Sequence, residues 1–327
     1  MKLSPSSLVL SLLPLAQAFL PPTLPSTSTL RTTWAPAPLS MSSLLLDENA
    51  VADRIKDGLL IRHMPEDVYR VLKSWDRMVE NVPFEDKETQ RFATSYIDGL
   101  EAKPWHDVSK FPWLQKLEEN AAVVQQELKE ALQMGEMLEK TGNNVWIGAL
   151  TSEGAAYGPD WKTLVLQDRA WDDTNCRIFP KTVQLLRDIG APTVEVFFAK
   201  QKGKTGIQPH SDGCNFVLTA HLGLDVPEGE CWIKVGGEKK EWKNGKALAF
   251  DTHYFHETGN ESEKDRYVLL MRFWHPGVSP KEREALQYVF DALDGPQAQT
   301  DMDFEYLSGL ADAQLASRRV EELEEDE

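Results

Sequence analysis

The chain has 327 residues, with 35 Lys and Arg against 52 Asp and Glu, which gives a formal net charge of −17. This excess of acid argues against a nucleic-acid partner, because phosphate binding depends on clustered basic side chains. The three cysteines include no Cys-x-x-Cys pair, which excludes a disulfide framework and indicates free thiols in a reducing compartment.

The first 46 residues differ in composition from the rest of the chain. Lys2 and Arg31 are their only charges, and an apolar run over residues 8–15 precedes Ala16-Gln17-Ala18, which is typical of a signal-peptide cleavage site. Residues 19–46 are rich in Ser, Thr and Pro, as in a transit peptide. This order resembles the bipartite presequences of algae with secondary plastids and predicts the plastid stroma. The alternative is the secretory pathway, as a lumenal or secreted protein with a disordered linker.

Residues 47–142 are predicted to form a helical support region. Their apolar side chains recur three and four positions apart, which is the spacing of amphipathic helices that pack against a core. One stripe comprises Val68, Val71, Leu72, Trp75 and Val79, and a second comprises Leu114, Leu117, Ala121, Val124, Leu128 and Leu132. The apolar run of the presequence is too short to cross a bilayer, and we expect no stable membrane span in the mature chain.

Residues 143–278 change to short β-type runs between Gly, Pro and Asn. The predicted strands cover residues 193–198, 216–222, 231–235, 246–250 and 267–273, and Gly236-Gly237 and Asn244-Gly245 predict tight hairpins. Because no helix of crossover length separates these strands, an antiparallel sandwich or jelly roll is favoured over a parallel sheet. The expected class is therefore α+β with a mainly β core.

The last region, residues 279–327, is predicted to contain supporting helices and an acidic tail. Ser279-Pro280-Lys281-Glu282 combines an N-cap, a proline at the first helical position and a glutamate at the third, so a helix begins there. We expect residues 47–327 to fold as one unit.

The strand-rich region contains a set of residues suited to binding iron. His210 and Asp212 are two positions apart, so on a strand both point to one face, and His256 follows on a later strand. Two His and one carboxylate are the ligands of the facial non-haem Fe(II) site, which leaves three positions for a 2-oxo acid and O₂. Arg266 begins the next strand and can hold the distal carboxylate of 2-oxoglutarate.

Several motifs together resemble the aspartyl/asparaginyl β-hydroxylase domain family. They include Gln208-Pro209-His210-Ser211-Asp212, His221-Leu222-Gly223-Leu224, Trp242-Lys243-Asn244-Gly245-Lys246, His256-Glu257, Arg266 and Trp274-His275-Pro276, with Lys103-Pro104-Trp105-His106-Asp107 and Trp161-Lys162 upstream. The resemblance implies a cupin-like double-stranded β-helix with Fe(II), 2-oxoglutarate and O₂. It also implies that His210 and His256 bind iron, that Arg266 and His221 bind 2-oxoglutarate, and that Trp161 lies beside the pocket.

The chain departs from this family at three positions. The animal enzymes have Gly at the position of Asp212, a second cosubstrate-binding Arg at that of Thr219, and a Ser in the region of Ala199. The leading hypothesis is an Fe(II)/2-oxoglutarate-dependent dioxygenase that hydroxylates a C–H bond, such as the β-carbon of Asp or Asn in a polypeptide. The alternatives are a hydroxylase of lipids or small molecules, a cupin-type metal enzyme with another cosubstrate, and a metal-binding jelly roll without turnover.

Overall fold

Two antiparallel β-sheets form the centre of the molecule. The computed structural model describes residues 48–134, 147–148, 156–158 and 160–294. The first seven strands are β1 (Phe84–Asp86), β2 (Arg91–Ala93), β3 (Trp105–His106), β4 (Ile147–Gly148), β5 (Trp161–Asp168), β6 (Ala170–Trp171) and β7 (Thr193–Gln201). The remaining strands are β8 (Thr205–His210), β9 (Val217–Asp225), β10 (Cys231–Val235), β11 (Glu238–Glu241), β12 (Ala247–Phe250), β13 (His256–Asn260) and β14 (Arg266–Trp274).

The order of the strands defines a double-stranded β-helix, as predicted. The larger sheet has the order β3-β12-β9-β14-β7-β5-β4, with β6 paired to β5, and the smaller has the order β11-β10-β13-β8. From β8 to β14 the chain passes repeatedly from one sheet to the other. The two inner faces pack together through large apolar side chains, among them Phe197 and Val268 of the larger sheet and Ile207 and Ile233 of the smaller. This space between the sheets is called the barrel interior below.

Helices pack against the larger sheet. Those of the described residues are α1 (Glu48–Arg62), α2 (Tyr69–Val79), α3 (Pro112–Glu119), α4 (Ala121–Gln133), α5 (Asp173–Ile178), α6 (Pro180–Asp188) and α7 (Pro280–Asp294). Helices α3, α4 and α6 share a core with Leu218, Leu269 and Met271. Because both faces of the larger sheet are covered, β9 is buried continuously from Val217 to Leu224 rather than at alternate positions. No described helix has the length and apolar character that a bilayer crossing requires.

The described elements agree with most of the predicted ones. Strands β7, β9, β10, β12 and β14 lie where the sequence places them, and the Gly236-Gly237 turn joins β10 to β11, with both glycines at positive φ. The second apolar stripe is divided at Asn120, where α3 ends and α4 begins. The predicted boundary at residue 142, the presequence and the acidic tail lie outside the described residues.

The hairpin predicted at Asn244-Gly245 is wrong. This turn joins β11 to β12, which belong to different sheets and do not pair. The Asn244 side chain instead accepts a hydrogen bond from the Val226 N–H and donates one to the Val226 carbonyl, at 2.9 Å each. The turn is therefore fixed by a contact with a distant loop rather than by pairing of its flanking strands.

Candidate metal centre

His210 and His256 lie side by side on the smaller sheet. His210 ends β8 and His256 begins β13, and the two are directly opposite in the antiparallel pairing of these strands. Cross-strand partners project from the same face of a sheet, and the centroids of the two imidazole rings are 4.2 Å apart. The two strands thus bring together residues that are distant in the sequence.

Hydrogen bonds of the two imidazoles fix which ring nitrogen is free. Nδ1 of His210 donates to the Gln208 carbonyl at 2.8 Å, and Nδ1 of His256 donates to the Tyr254 carbonyl at 3.0 Å. A carbonyl oxygen only accepts, so each Nδ1 carries the proton and each Nε2 presents a lone pair. Hydrogen bonds of this kind orient the histidine ligands of metal sites.

Asp212 completes a group of three convergent ligand atoms. Its Oδ1 lies 3.7 Å from Nε2 of His210 and 3.7 Å from Nε2 of His256. All three ligand atoms lie within 4.8 Å of one another, and in the described part of the chain no other cluster of three or more His, Cys, Asp or Glu does so. Two neutral nitrogens and one carboxylate oxygen are the ligands that a facial Fe(II) site requires, so the residues fit this metal.

The surroundings favour the protonation states that metal binding needs. Burial, reinforced by the neighbouring His210, lowers the pKa of His256 to about 4, which keeps the imidazole neutral. Burial by itself would raise the pKa of Asp212, but Arg272 and then the two imidazoles outweigh it and lower that pKa. Neutral imidazoles and an ionised carboxylate are the forms that coordinate a cation.

A small N-terminal hairpin, β1 with β2, supports the loops that carry the ligands. Phe92 donates its N–H to the His253 carbonyl at 2.9 Å, and the Ser211 hydroxyl donates to the Phe92 carbonyl at 2.6 Å. Just beyond the hairpin, the N–H groups of Thr94 and Ser95 donate to the carbonyl of Gly213, whose positive φ of 73° turns the chain after Asp212. The region predicted to be wholly helical therefore also contributes strands to the site.

A second polar group lies in another part of the barrel interior, around Arg266. This side chain is buried, and its guanidinium carbon lies 4.3 Å from the centroid of the Trp242 ring. Its Nε and Nη1 have no hydrogen-bond partner among the described residues. Two unpartnered donors on a buried cation are costly, which is the expected state of a site that receives an anion.

His221 lies between Arg266 and the metal ligands. Trp242 donates its indole N–H to Nδ1 of His221 at 3.3 Å, so the imidazole proton is on Nε2. Burial and then the charge of Arg266 hold the pKa of His221 well below its ordinary value. A neutral Nε2–H donor is thereby available between the buried cation and the metal centre.

Trp161 is buried at the start of β5 and contacts the site through Tyr157. The two ring centroids are 4.6 Å apart, and the Tyr157 hydroxyl donates to Nε2 of His210 at 3.0 Å. Because Nε2 is the unprotonated nitrogen of His210 and the one directed at the metal position, Tyr157 lies at the edge of the metal centre. Tyr157 was not predicted from the sequence to belong to the site.

Arg272 was not predicted from the sequence either, although strand alternation contained the signal. Residues 266, 268, 270 and 272 of β14 face the barrel interior, so Arg272 shares a face with Arg266. In the strand register Arg272 is directly opposite Thr219 of β9. Arg272 therefore places a guanidinium on the strand next to Thr219, the position at which the animal enzymes have an Arg.

The part of the chain that contains the barrel matches a known protein-family model. Residues 118–276 match the family model described as Aspartyl/Asparaginyl beta-hydroxylase. The chain is 26% identical over 201 residues to the mouse protein named aspartyl/asparaginyl beta-hydroxylase, covering 59% of this chain and 26% of the mouse protein. It is 30% identical over 181 residues to the ornithine lipid ester-linked acyl 2-hydroxylase of Rhizobium tropici, covering 54% of this chain and 62% of that protein.

Two further matches cover smaller parts of the chain. A rat protein named aspartate beta-hydroxylase domain-containing protein 2 is 33% identical over 124 residues, which is 36% of each chain. The solved structure of a 2OG-Fe(II) oxygenase family oxidoreductase from Burkholderia pseudomallei covers 36% of this chain and 69% of its own, with 12% identity and a TM-score of 0.30, a likeness too weak to assign a function. The chain spans only about a quarter to a third of the mammalian relatives it matches.

The fold and the convergent ligands define a class of protein: a double-stranded β-helix with a candidate His-Asp-His metal centre between its two sheets. Within that class, residues 118–276 resemble the aspartyl/asparaginyl β-hydroxylase family, whose model they match. The resemblance predicted from the motifs is confirmed.

Proposed function

We propose that the protein is an Fe(II)- and 2-oxoglutarate-dependent dioxygenase that hydroxylates an unactivated C–H bond. One observation carries the proposal: the barrel interior contains both a His-Asp-His ligand set and a buried guanidinium with unpartnered donors. A metal-binding site alone would fit many functions. The second, cationic site, with the neutral imidazole of His221 between the two, fits a small dicarboxylate that also reaches the metal.

Each residue of the site has a defined task in this reaction. When bound, Fe(II) with 2-oxoglutarate and O₂ supplies the oxidant, giving succinate, CO₂ and one oxygen atom for the substrate. His210, Asp212 and His256 would hold the metal on one face and leave the opposite positions for the cosubstrates. Arg266 would bind the distal carboxylate with its two free N–H donors, and His221 would donate its Nε2–H to the same molecule.

The interior walls would protect the reaction from water. Phe197, Val268 and Phe250 are almost completely buried and line the interior around the polar groups. Apolar walls strengthen the charge interactions of the site and limit unproductive reaction with solvent. A substrate would enter past Tyr157 and the half-exposed Phe255, which lie beside the two histidines.

Two substrate classes follow from the relatives. The mammalian proteins are named for aspartyl and asparaginyl residues, which favours the β-carbon of Asp or Asn in a polypeptide. The bacterial relative is named for the acyl chain of a lipid and is the more similar in identity, 30% against 26%. Because the family model that residues 118–276 match is also named for aspartyl and asparaginyl residues, we propose polypeptide hydroxylation first and acyl-chain hydroxylation second.

The proposal is tested by measuring turnover of the full chain. Anaerobic addition of Fe(II) and then 2-oxoglutarate should produce a metal-to-ligand charge-transfer absorbance, and admission of O₂ with acidic peptides or acyl lipids should yield succinate. His256→Ala should abolish the absorbance and succinate formation. His63→Ala, a half-buried histidine outside the barrel, is the matched control and should retain both.

Arg266 has a separate test. Arg266→Ala should raise the 2-oxoglutarate concentration needed for half-maximal absorbance by at least tenfold while Fe(II) binding is retained, because only the distal carboxylate loses its partner. Arg54→Ala, on the exposed face of α1, is the control. An unchanged requirement in Arg266→Ala would refute the assignment of the anchor. A chain that binds both Fe(II) and 2-oxoglutarate yet forms no succinate with any acceptor would instead be a binding module.

A further inference from the structure

Arg272 is a buried cation that lies at the metal centre rather than at the Arg266 end of the barrel interior. Its side chain is 6% exposed. It lies six residues beyond Arg266 on the same face of β14, which at about 3.4 Å per residue separates the two backbone positions by roughly 20 Å. Cross-strand partners of Arg272 are Glu195 on β7 and Thr219 on β9. The two arginines therefore serve different ends of the interior.

The two oxygens of Asp212 have different partners. Nη1 of Arg272 donates to Oδ2 at 3.0 Å, whereas Oδ1 is the oxygen that faces the two imidazole nitrogens. The backbone N–H of Asp212 also donates to the Thr252 carbonyl at 2.9 Å, which fixes the main chain at this point. With Oδ2 engaged, only one oxygen of the carboxylate is directed at the metal position.

Glu195 does not compete strongly for this guanidinium. Its Oε2 is 3.9 Å from Nε of Arg272, too far for a good hydrogen bond, and burial raises the pKa of Glu195 to about 8. Nε of Arg272 has no hydrogen-bond partner among the described residues. Asp212 is thus the ionised group that accepts a hydrogen bond from Arg272.

We propose that Arg272 is a positioning residue that holds Asp212 as a one-oxygen ligand of the metal centre. A free carboxylate rotates about its Cβ–Cγ bond and can bind a cation through both oxygens or turn away from it. A hydrogen-bonded guanidinium on Oδ2 removes that freedom and offsets the cost of burying the negative charge. Arg272 acts on the metal through Asp212 and does not itself touch it. The inference rests on the metal centre of the proposed function but requires neither turnover nor 2-oxoglutarate.

The test measures metal binding by the full chain after chelation, with Co(II) as the probe. Affinity is obtained by titration, and the d–d absorbance of Co(II) reports the number and geometry of its ligands. Replacing a residue that orients a metal ligand typically costs about 10- to 100-fold in affinity. We expect a loss of this size for Arg272→Met, with an altered Co(II) spectrum, and partial recovery in Arg272→Lys, which keeps the charge and one donor.

A double variant separates positioning from a structural role. Asp212→Gly with Arg272→Met should bind Co(II) as Asp212→Gly alone does, because the effect of Arg272 passes through the carboxylate. This double variant also leaves neither charge of the pair buried alone, so it remains informative if Arg272→Met unfolds. Arg70→Met, which breaks a comparable Arg–Glu pair in the helical layer, is the control and should lower stability without changing Co(II) affinity or spectrum.

The results that would contradict the inference distinguish the positioning role of Arg272 from the metal centre itself. Unchanged affinity and spectrum in Arg272→Met would overturn the positioning role while leaving the metal centre intact. Tighter Co(II) binding in Arg272→Met would also overturn the positioning role, since it would mean that Arg272 holds Asp212 away from the metal. A wild-type chain that binds no Co(II), Mn(II) or Fe(II) would overturn the metal centre itself, and the inference with it.

Discussion

Trp242 is the residue on which the orientation of both Arg266 and His221 depends. Its ring supports the guanidinium, and its N–H fixes the tautomer of the imidazole. The sequence placed Trp242 only within a family motif, because nothing in the run Trp242-Lys243-Asn244 indicates that its ring lies against an arginine 24 positions later. A contact between distant segments is visible only in the folded chain.

We expect Trp242→Leu to weaken 2-oxoglutarate binding selectively. A desolvated cation–π contact is worth about 0.5–2 kcal/mol, which corresponds to an increase of roughly 2- to 30-fold in the KM for 2-oxoglutarate. Trp242→Phe keeps an aromatic face but loses the N–H, so its effect should be smaller. Steady-state kinetics with succinate detection checks this, with thermal unfolding to confirm folding. Equal KM values in wild type and Trp242→Leu would contradict it.

At the scale of elements, the sequence predicted best where a pattern is local. The capping box at the start of α7 is present: the Ser279 N–H donates to Oε2 of Glu282 at 2.9 Å, and the Glu282 N–H donates to the Ser279 hydroxyl at 3.2 Å. By contrast, β1 and β2 have three residues each and no clear hydrophobic period, so no sequence pattern identifies them. Strand β8 contains Pro209, which is tolerated because β8 lies at the edge of its sheet.

The stabilisation of the N-terminus of α6 could not be predicted from local sequence patterns. Helix α6 has no side-chain cap of its own, and the buried Glu127 of α4 accepts the N–H groups of Lys181 and Thr182 at 2.9 and 2.8 Å. Periodicity places Glu127 in a helix but gives no reason for its burial. The reason is the N-terminus of another helix, which favours a negative charge.

We expect Glu282→Gln to destabilise the protein by about 1–3 kcal/mol at pH 7, since it weakens both the cap and the charged hydrogen bonds to Arg70. Burial opposes the shift, but Arg70 and the Ser279 N–H lower the pKa of Glu282 below 4.5. A lowered carboxyl pKa stabilises the fold above the unfolded pKa, and this contribution is lost as the pH falls through the folded value.

The difference between wild type and Glu282→Gln should accordingly be largest near pH 7 and shrink as the pH is lowered below 4.5. Urea unfolding from pH 7 to pH 3 provides the measurement. Glu284→Gln, on the exposed side of the same helix, is the control and should have little effect. A difference that grew on acidification would show that the ion pair is not its source.

At the scale of the whole molecule, the charge is unevenly distributed. The net charge is −17, and because residues 1–46 contain only Lys2 and Arg31, the rest of the chain carries −19. In the proposed function, a dianionic cosubstrate would have to approach this acidic body before it reached the buried Arg266. The overall field opposes association, and only local cations favour it.

We therefore expect the KM for 2-oxoglutarate to fall when ionic strength is raised from about 20 to 200 mM. Added salt shortens the screening length from roughly 20 to 7 Å, which weakens long-range repulsion more than the contact with a buried guanidinium. The effect should be modest, about twofold, and the same with chloride and acetate salts. Kinetics at constant pH test it, and a KM that rises with salt would indicate that long-range attraction dominates.

The presequence forms a separate prediction, because it concerns residues outside the described part of the chain. We propose that residues 1–46 direct the protein to the plastid stroma. In an alga with a secondary plastid, a fluorescent protein fused to residues 1–46 should accumulate in the plastid, whereas a fusion to residues 1–18 should remain in the secretory pathway. Secretion of both fusions would contradict stromal targeting.

The contact between the N-terminal hairpin and the ligand loops has a consequence for the order of assembly. Phe92 and Ser211, which join them, are 119 positions apart in the chain. The hairpin is synthesised early but gains its partners only after the second half of the barrel exists. We therefore expect the loops of Asp212 and His256 to reach their final form late in folding, and metal binding at the proposed centre would report that the two halves of the chain have met.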